Sequence, residues 1–194
     1  MVDKNIEKTG APLVGVLSIQ GDYDAHIKTL RKLGVSYKNV RDGEDLDKIT
    51  HLIIPGGEST TIRIVSQAEG YWDKLVDFDR PVMGTCMGSI LMAREIENPS
   101  REGWGMMDIT IRRNAYGRQI NSFTEYGKID MSDKPFEMVF IRAPKIVRIG
   151  YGVQPIAWLN DEIVGARSGN KIALTFHPEL TGNPVFHELL LNSR

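Results

Sequence analysis

The chain has 194 residues, with 24 lysines and arginines against 25 aspartates and glutamates, for a formal net charge of −1. That length can bury a full core without staples, and the balanced, interspersed charge leaves no electrostatic footprint for nucleic acid or an anionic membrane. The single cysteine rules out an intrachain disulfide; no Cys/His grouping has zinc spacing, and no apolar run approaches the ~18 residues of a membrane span.

Residues 1–12 are polar, lack the apolar stretch of a signal peptide, and read as a short N-terminal extension. A soluble, reducing, cytoplasmic setting is the expectation. Leu13 to Ile19 is a nearly unbroken apolar run suited to a strand covered on both faces, broken by Gln20-Gly21-Asp22. Tyr23 to Leu33 places Tyr23, Ile27 and Leu30 at helical spacing, with Gly34 as the stop. Val35 to Val40 and His51 to Ile54 read as further strands, the latter cut off at Pro55-Gly56-Gly57. Helical patterns cover Ser59 to Ala68 and Trp72 to Phe78; Pro81-Val82-Met83 leads into a turn, and Ser89 to Glu95 continues as a helix behind it. This alternation predicts a mostly parallel sheet flanked by helices. The second half differs. Asp108–Arg112, Glu137–Ile141, Ile146–Ile149, Val153–Leu159, Ile163–Ala166 and Ile172–Phe176 are strand-like with few helices between them, predicting a β-rich excursion before a closing helix at Pro184–Leu191. With no repeat or linker, residues 13–194 read as a single α/β domain.

Cys86 stands between two glycines in Gly84-Thr85-Cys86-Met87-Gly88, directly after a short apolar run. A lone cysteine is most often a small buried hydrophobe. The Gly-x-Cys-x-Gly frame argues instead for a nucleophile elbow, a strand-to-helix turn too tight for a Cβ at either glycine. It would set the sulfur at a helix N-terminus, where the dipole favours thiolate.

A thiolate nucleophile needs a proton carrier, and the carrier an orienting group. His26 and His187 lie in predicted helices and read as solvated or packing residues, and His51 as a strand-edge residue. His177 ends an apolar strand and is followed by Pro178-Glu179. Proline biases His177 towards extended backbone, in which residues i and i+2 share a side, so Glu179 can reach one ring nitrogen while the other faces a substrate. Cys86, His177 and Glu179 then form an acyl-transfer triad. Such a triad needs an oxyanion hole; the Met87 backbone N–H is one expected donor and the Pro55-Gly56-Gly57-Glu58-Ser59 loop, through Gly57, the second. A phosphate-cradling role for that loop lacks its lysine and spacing.

The elbow together with His177-Pro178-Glu179 resembles the class I glutamine amidotransferases. Further strings are similar to those of the glutaminase subunits of two-component pyridoxal 5′-phosphate synthases: Gly15 to Gly21, Ile54-Pro55-Gly56-Gly57-Glu58-Ser59-Thr60-Thr61, Arg113 to Gln119, and Phe140-Ile141-Arg142-Ala143-Pro144. The resemblance implies hydrolysis of L-glutamine to glutamate and ammonia, with Cys86 as nucleophile, His177 as base and then acid, and Glu179 as orienter. It also implies glutamine contacts at Gly57, Glu58, Ser59, Arg113, Ile141 and Arg142. A substrate carrying an α-ammonium and an α-carboxylate calls for an anion such as Glu58 and a forked arginine, and which arginine serves stays open. It implies no cofactor or metal. The implied partner is a synthase subunit with a (β/α)₈ barrel, in a large hetero-oligomer that makes pyridoxal 5′-phosphate. Met87 stands where the family more often has alanine, and Tyr116 where phenylalanine is usual. Three alternatives remain: a glutaminase subunit of another amidotransferase, a non-catalytic assembly subunit, and an elbow cysteine hydrolase acting on esters or peptides.

Overall fold

The computed structural model describes residues 10–116 and 122–194. In chain order the first half runs β1 (Leu13–Leu17), α1 (Tyr23–Lys32), β2 (Ser36–Val40), α2 (Gly43–Lys48), β3 (His51–Ile54), α3 (Ser59–Ala68), α4 (Trp72–Val76), β4 (Val82–Thr85) and α5 (Met87–Met92). The second half runs β5 (Ala93–Glu97), β6 (Arg101–Glu102), β7 (Met107–Arg112), β8 (Ser122–Ile129), β9 (Ser132–Ile141), β10 (Lys145–Ile149), β11 (Gln154–Leu159), β12 (Glu162–Ser168), β13 (Lys171–Leu174), a 3₁₀ turn at Pro178–Leu180 and α6 (Val185–Leu191).

Among the described residues, nine strands form one sheet in the order β2-β1-β3-β4-β13-β12-β11-β8-β9. From β2 to β13 the pairings are parallel; from β13 through β12, β11 and β8 to β9 they are antiparallel. The sheet is therefore mixed, its parallel half being the expected one and its antiparallel half most of the β-rich excursion. The rest of that excursion is a four-stranded sheet, β10-β7-β5-β6.

Period-two alternation sorts the parallel strands onto two cores. Val14, Val16, Ile53, Met83, Ile172 and Leu174 face α1 and α6, packing with Ile27, Leu30, Phe186 and Leu190. Leu17, Leu52, Ile54 and Val82 face the other way, onto Leu46 of α2, Ile62 of α3, Leu75 of α4 and Ile90 of α5. The small sheet closes that second core with Ile96, Ile109, Ile111 and Ile146.

The helix expected over Ser89–Glu95 stops at Met92, and Ala93–Glu97 is instead β5, parallel to β7. Helix propensity in Ala93-Arg94-Glu95 yields there to pairing with a neighbouring buried strand. No helix among the described residues is long and apolar enough to cross a membrane.

Candidate active site

Cys86 sits where β4 turns into α5, with φ 49° and ψ −107°, a backbone conformation that L-residues rarely adopt. A Cβ on Gly88 would strike the Ile54 carbonyl of β3, and one on Gly84 would come within 2.6 Å of the Gly88 backbone. Both flanking glycines are thus required by close approach. Three contacts hold the strained residue: the Cys86 N–H donates to the Leu174 carbonyl at 2.8 Å, Ser89 Oγ donates to the Cys86 carbonyl at 2.6 Å, and Sγ donates to the Ile141 carbonyl at 3.5 Å. Cys86 is 8% exposed, at the floor of an open pocket.

His177 follows β13 and is pinned by its own N–H, which donates to the Val139 carbonyl of β9 at 2.8 Å. Its Nδ1 lies 2.7 Å from Glu179 Oε1. The local backbone corrects the sequence reading: His177 is non-helical, with φ −107° and ψ 84°, but Pro178–Leu180 is a 3₁₀ turn, and Glu179 returns to the imidazole through that turn rather than along a strand. Nε2 of His177 is buried without a hydrogen-bond partner, leaving it available to a substrate or to the thiol. Burial alone would depress the imidazole, yet Cys86 and Glu179 outweigh it and hold His177 well above its ordinary value. A Cβ on Gly56 would meet His177 Cε1 at 2.5 Å and Cys86 Cβ at 3.4 Å, so this glycine lies directly against both.

Behind the carboxylate lies a layer that sequence reasoning did not find. His26 and His187, expected as solvated or packing side chains, are fully buried. His26 Nε2 lies 3.4 Å from Glu179 Oε2 and 3.2 Å from Thr85 Oγ1, and His26 Nδ1 lies 3.0 Å from His187 Nε2. Burial and the neighbouring His26 push His187 down to about 3, so it is neutral with one N–H. Its Nδ1 is buried without a hydrogen-bond partner, so His26 is its polar contact. Burial would raise the Glu179 carboxyl, but His26 and His177 overcome it and hold the group well below the usual carboxylate range. No spacing motif marks this layer, because His26 and His187 are 161 positions apart.

The pocket above Cys86 encloses about 620 Å³. Its walls include every expected substrate or oxyanion residue: Gly57, Glu58, Ser59, Met87, Arg113, Ile141 and Arg142. Gln20, Asp22, Ile90, Asn114 and Ser122 also line it; in the sequence Gln20 belongs to the Gly15–Gly21 string, whereas Asp22 stands out only as part of a strand break. Carboxylates at Asp22 and Glu58 and guanidiniums at Arg113 and Arg142 give the walls both signs of charge, as a zwitterionic ligand requires. Gly117, Arg118 and Gln119, from the Arg113–Gln119 string, lie outside the described residues. Tyr116 packs on Phe123 and Phe140, with its hydroxyl 3.4 Å from Glu162.

Among the described residues, one grouping has enough donors for a metal: Asp22, His177 and Glu179, with ligand atoms within 4.8 Å of one another. Its imidazole nitrogen is already engaged by Glu179 at 2.7 Å, so the grouping orients His177 rather than offering it to an ion.

An elbow cysteine at the carboxyl end of a parallel strand, beside an imidazole held by a buried carboxylate, defines the class: α/β acyl-transfer proteins of the amidotransferase type. Comparison with known proteins narrows it. Residues 16–193 match the model of the SNO glutamine amidotransferase family, and the chain belongs to that family. Curated relatives named pyridoxal 5′-phosphate synthase subunit PdxT include one from Koribacter versatilis, 44% identical over 180 residues and covering 92% of this chain and 93% of that protein. Another, from Pseudothermotoga lettingae, is 47% identical over 182 residues with coverage of 92% and 93%. A crystal structure described as a glutamine amidotransferase superposes with TM-score 0.85 at 40% identity, covering 92% of this chain and 96% of the other. The crystal structure of a putative GMP synthase component from Thermoplasma acidophilum shares the fold at 17% identity, with TM-score 0.65 and 94% of each chain covered.

Proposed function

We propose that this chain hydrolyses L-glutamine to L-glutamate and ammonia and passes the ammonia to a partner synthase that makes pyridoxal 5′-phosphate. The observation that carries the reading is His177, held at 2.7 Å by a buried Glu179 and bordering the same pocket as the strained Cys86. Support for the synthase comes from the names of relatives 44–47% identical.

In the proposed reaction Cys86 Sγ attacks the side-chain amide carbon, and the thiol proton passes to His177 Nε2. Backbone N–H groups of Met87 and Gly57 receive the oxyanion. The imidazolium gives its proton to the amine, the C–N bond breaks, and ammonia leaves a thioester on Cys86. Water, losing a proton to Nε2, then attacks the thioester; the C–S bond breaks, the proton on Nε2 passes to the departing Sγ, and glutamate leaves. Glu179 stays ionised throughout and fixes the tautomer with Nε2 towards the substrate. Glu58 would take the α-ammonium, and Arg113 or Arg142 the α-carboxylate, with Gly57, Ser59 and Ile141 completing the wall.

The acting unit in this proposal is residues 13–194, preceded by the 1–12 extension, working in the cytoplasm without cofactor or metal. Its partner is a (β/α)₈-barrel subunit in a large hetero-oligomer. The test is ammonia release from glutamine by the chain mixed with that synthase, against the Cys86→Ala variant, alongside labelling by a glutamine-mimicking diazo ketone. Turnover that depends on Cys86, with covalent label on its sulfur, is expected. Equal turnover in the variant, or an unlabelled Cys86, would refute the proposal.

A further inference from the structure

On the far side of Ser59 lies a second cavity, of about 390 Å³, that the reaction does not use. Arg63 of α3 and Arg101 of β6 enter it, and Trp72 and Trp104 wall it, their rings meeting edge to face at 5.2 Å. The Arg63 guanidinium lies 5.8 Å from the Trp72 ring centre.

This cavity carries positive charge and unused donors. Burial, then the charges of Arg113 and Arg63, make the Arg101 cation harder to hold than an ordinary guanidinium. Among the described residues none of the three arginines forms an ion pair, and the Glu102 carboxylate on the rim is exposed and pairs with none of them. Arg101 Nη2 donates to Ser59 Oγ at 3.1 Å, while Arg101 Nε is buried with no acceptor. Trp104, only 9% exposed, likewise has its indole N–H buried with no acceptor. Converging guanidiniums and orphaned buried donors are each unfavourable, and one bound anion relieves both.

We propose that this cavity binds a phosphate monoester carried on a small planar ring. The dianionic head matches two guanidiniums, and its three terminal oxygens suffice for Arg63, Arg101 and the Trp104 N–H, whereas a carboxylate has only two. The tryptophan pair offers flat apolar surface to the ring. Ser59 borders both cavities and Arg113 lines the glutamine pocket, so an anion here reaches the substrate site through shared groups. Its charge weakens the pull of Arg113 on a substrate carboxylate, which makes the ligand an inhibitor that raises the KM for glutamine. Taken with the proposed function, on which this step rests, pyridoxal 5′-phosphate has this chemistry, so the cavity would sense the product.

The test uses the whole chain and follows tryptophan fluorescence on titration with pyridoxine 5′-phosphate, which lacks the lysine-reactive aldehyde, against unphosphorylated pyridoxine. A saturable change is expected with the phosphate ester at a midpoint at least tenfold lower than with pyridoxine. Arg101→Met and Arg63→Met should each raise that midpoint at least tenfold. Equal responses to the two compounds, no saturable response, or midpoints unmoved in both variants would overturn the site. None of these readings requires glutamine turnover, so they stand apart from the labelling of Cys86. With the synthase present, a glutamine KM that stays constant as the site fills would overturn the coupling.

Discussion

Replacing His26 by leucine removes the cation-facing support of Glu179 while leaving the His177 side intact. The parent contact spans 3.4 Å between Nε2 and Oε2, both side chains fully buried. A full charge pair at that distance in an effective dielectric of ~20 would be worth about 5 kcal/mol, and desolvating the two groups offsets much of it. Oε2 has no aligned donor, so the contact is electrostatic rather than a good hydrogen bond. The expected loss is therefore about 2–3 kcal/mol of unfolding free energy at pH 7, by urea titration with unchanged m-value. The fold depresses the Glu179 carboxyl below its ordinary value of 4.5. Its contribution is thus fully present above that pH and fades as pH falls through and below it. The gap between parent and variant should accordingly narrow between pH 7 and pH 3. His26→Gln, whose amide nitrogen can take the place of Nε2, should recover at least half of the loss. A gap under about 0.5 kcal/mol at pH 7, or one independent of pH, would refute the reasoning.

Gly56→Ala drives a methyl to 2.5 Å from His177 Cε1 and should cut partner-stimulated glutaminase kcat about 100-fold while diazo-ketone labelling of Cys86 slows in parallel; unchanged kcat would mean that the imidazole is free to move. Glu179→Gln keeps the shape but reverses the tautomer preference of His177, so kcat should fall by about 10³–10⁴ with little change in KM. Arg113→Met should raise the glutamine KM at least tenfold and leave kcat within about threefold, the pattern of lost uniform binding; a kcat loss with constant KM would move Arg113 from substrate binding to the chemistry.

What could be read from the sequence follows the range of the interactions involved. β3 is found at its observed bounds, because His51-Leu52-Ile53-Ile54 is apolar throughout and Pro55 ends it. The elbow and the His-Pro-Glu string are equally local, and Cys86, Met87 and His177 from them line one pocket. Missed elements have weak local patterns. α2 buries only Leu46, though Asp42 accepting from the Asp45 N–H at 2.9 Å is a cap that could have announced it. β8 is largely exposed and takes its conformation from β9. β5 reads as the end of a helix until its long-range partner β7 is known. Nor could any periodicity reveal the His26–His187 pairing, which exists only once α1 and α6 cover the same face of the sheet.

The placement of the site follows from the seam of the mixed sheet. β4 and β13 are neighbours running in parallel, so their carboxyl ends deliver Cys86 and His177 to the same edge. Beyond β13 the pairing turns antiparallel, which brings the far end of β9 back to that edge, where Val139 anchors the His177 backbone and Ile141 receives the Cys86 thiol. A conformation such as that of Cys86 costs on the order of 1–3 kcal/mol and persists only where its surroundings over-determine it. Here the hydrogen bond to Leu174 ties the strained residue to the strand that carries His177, so the proposed nucleophile and base share one anchor. The antiparallel half of the sheet therefore frames the proposed triad, and substitutions that loosen β9 should disturb Cys86 and His177 before they disturb the proposed substrate wall at Ser59 of α3.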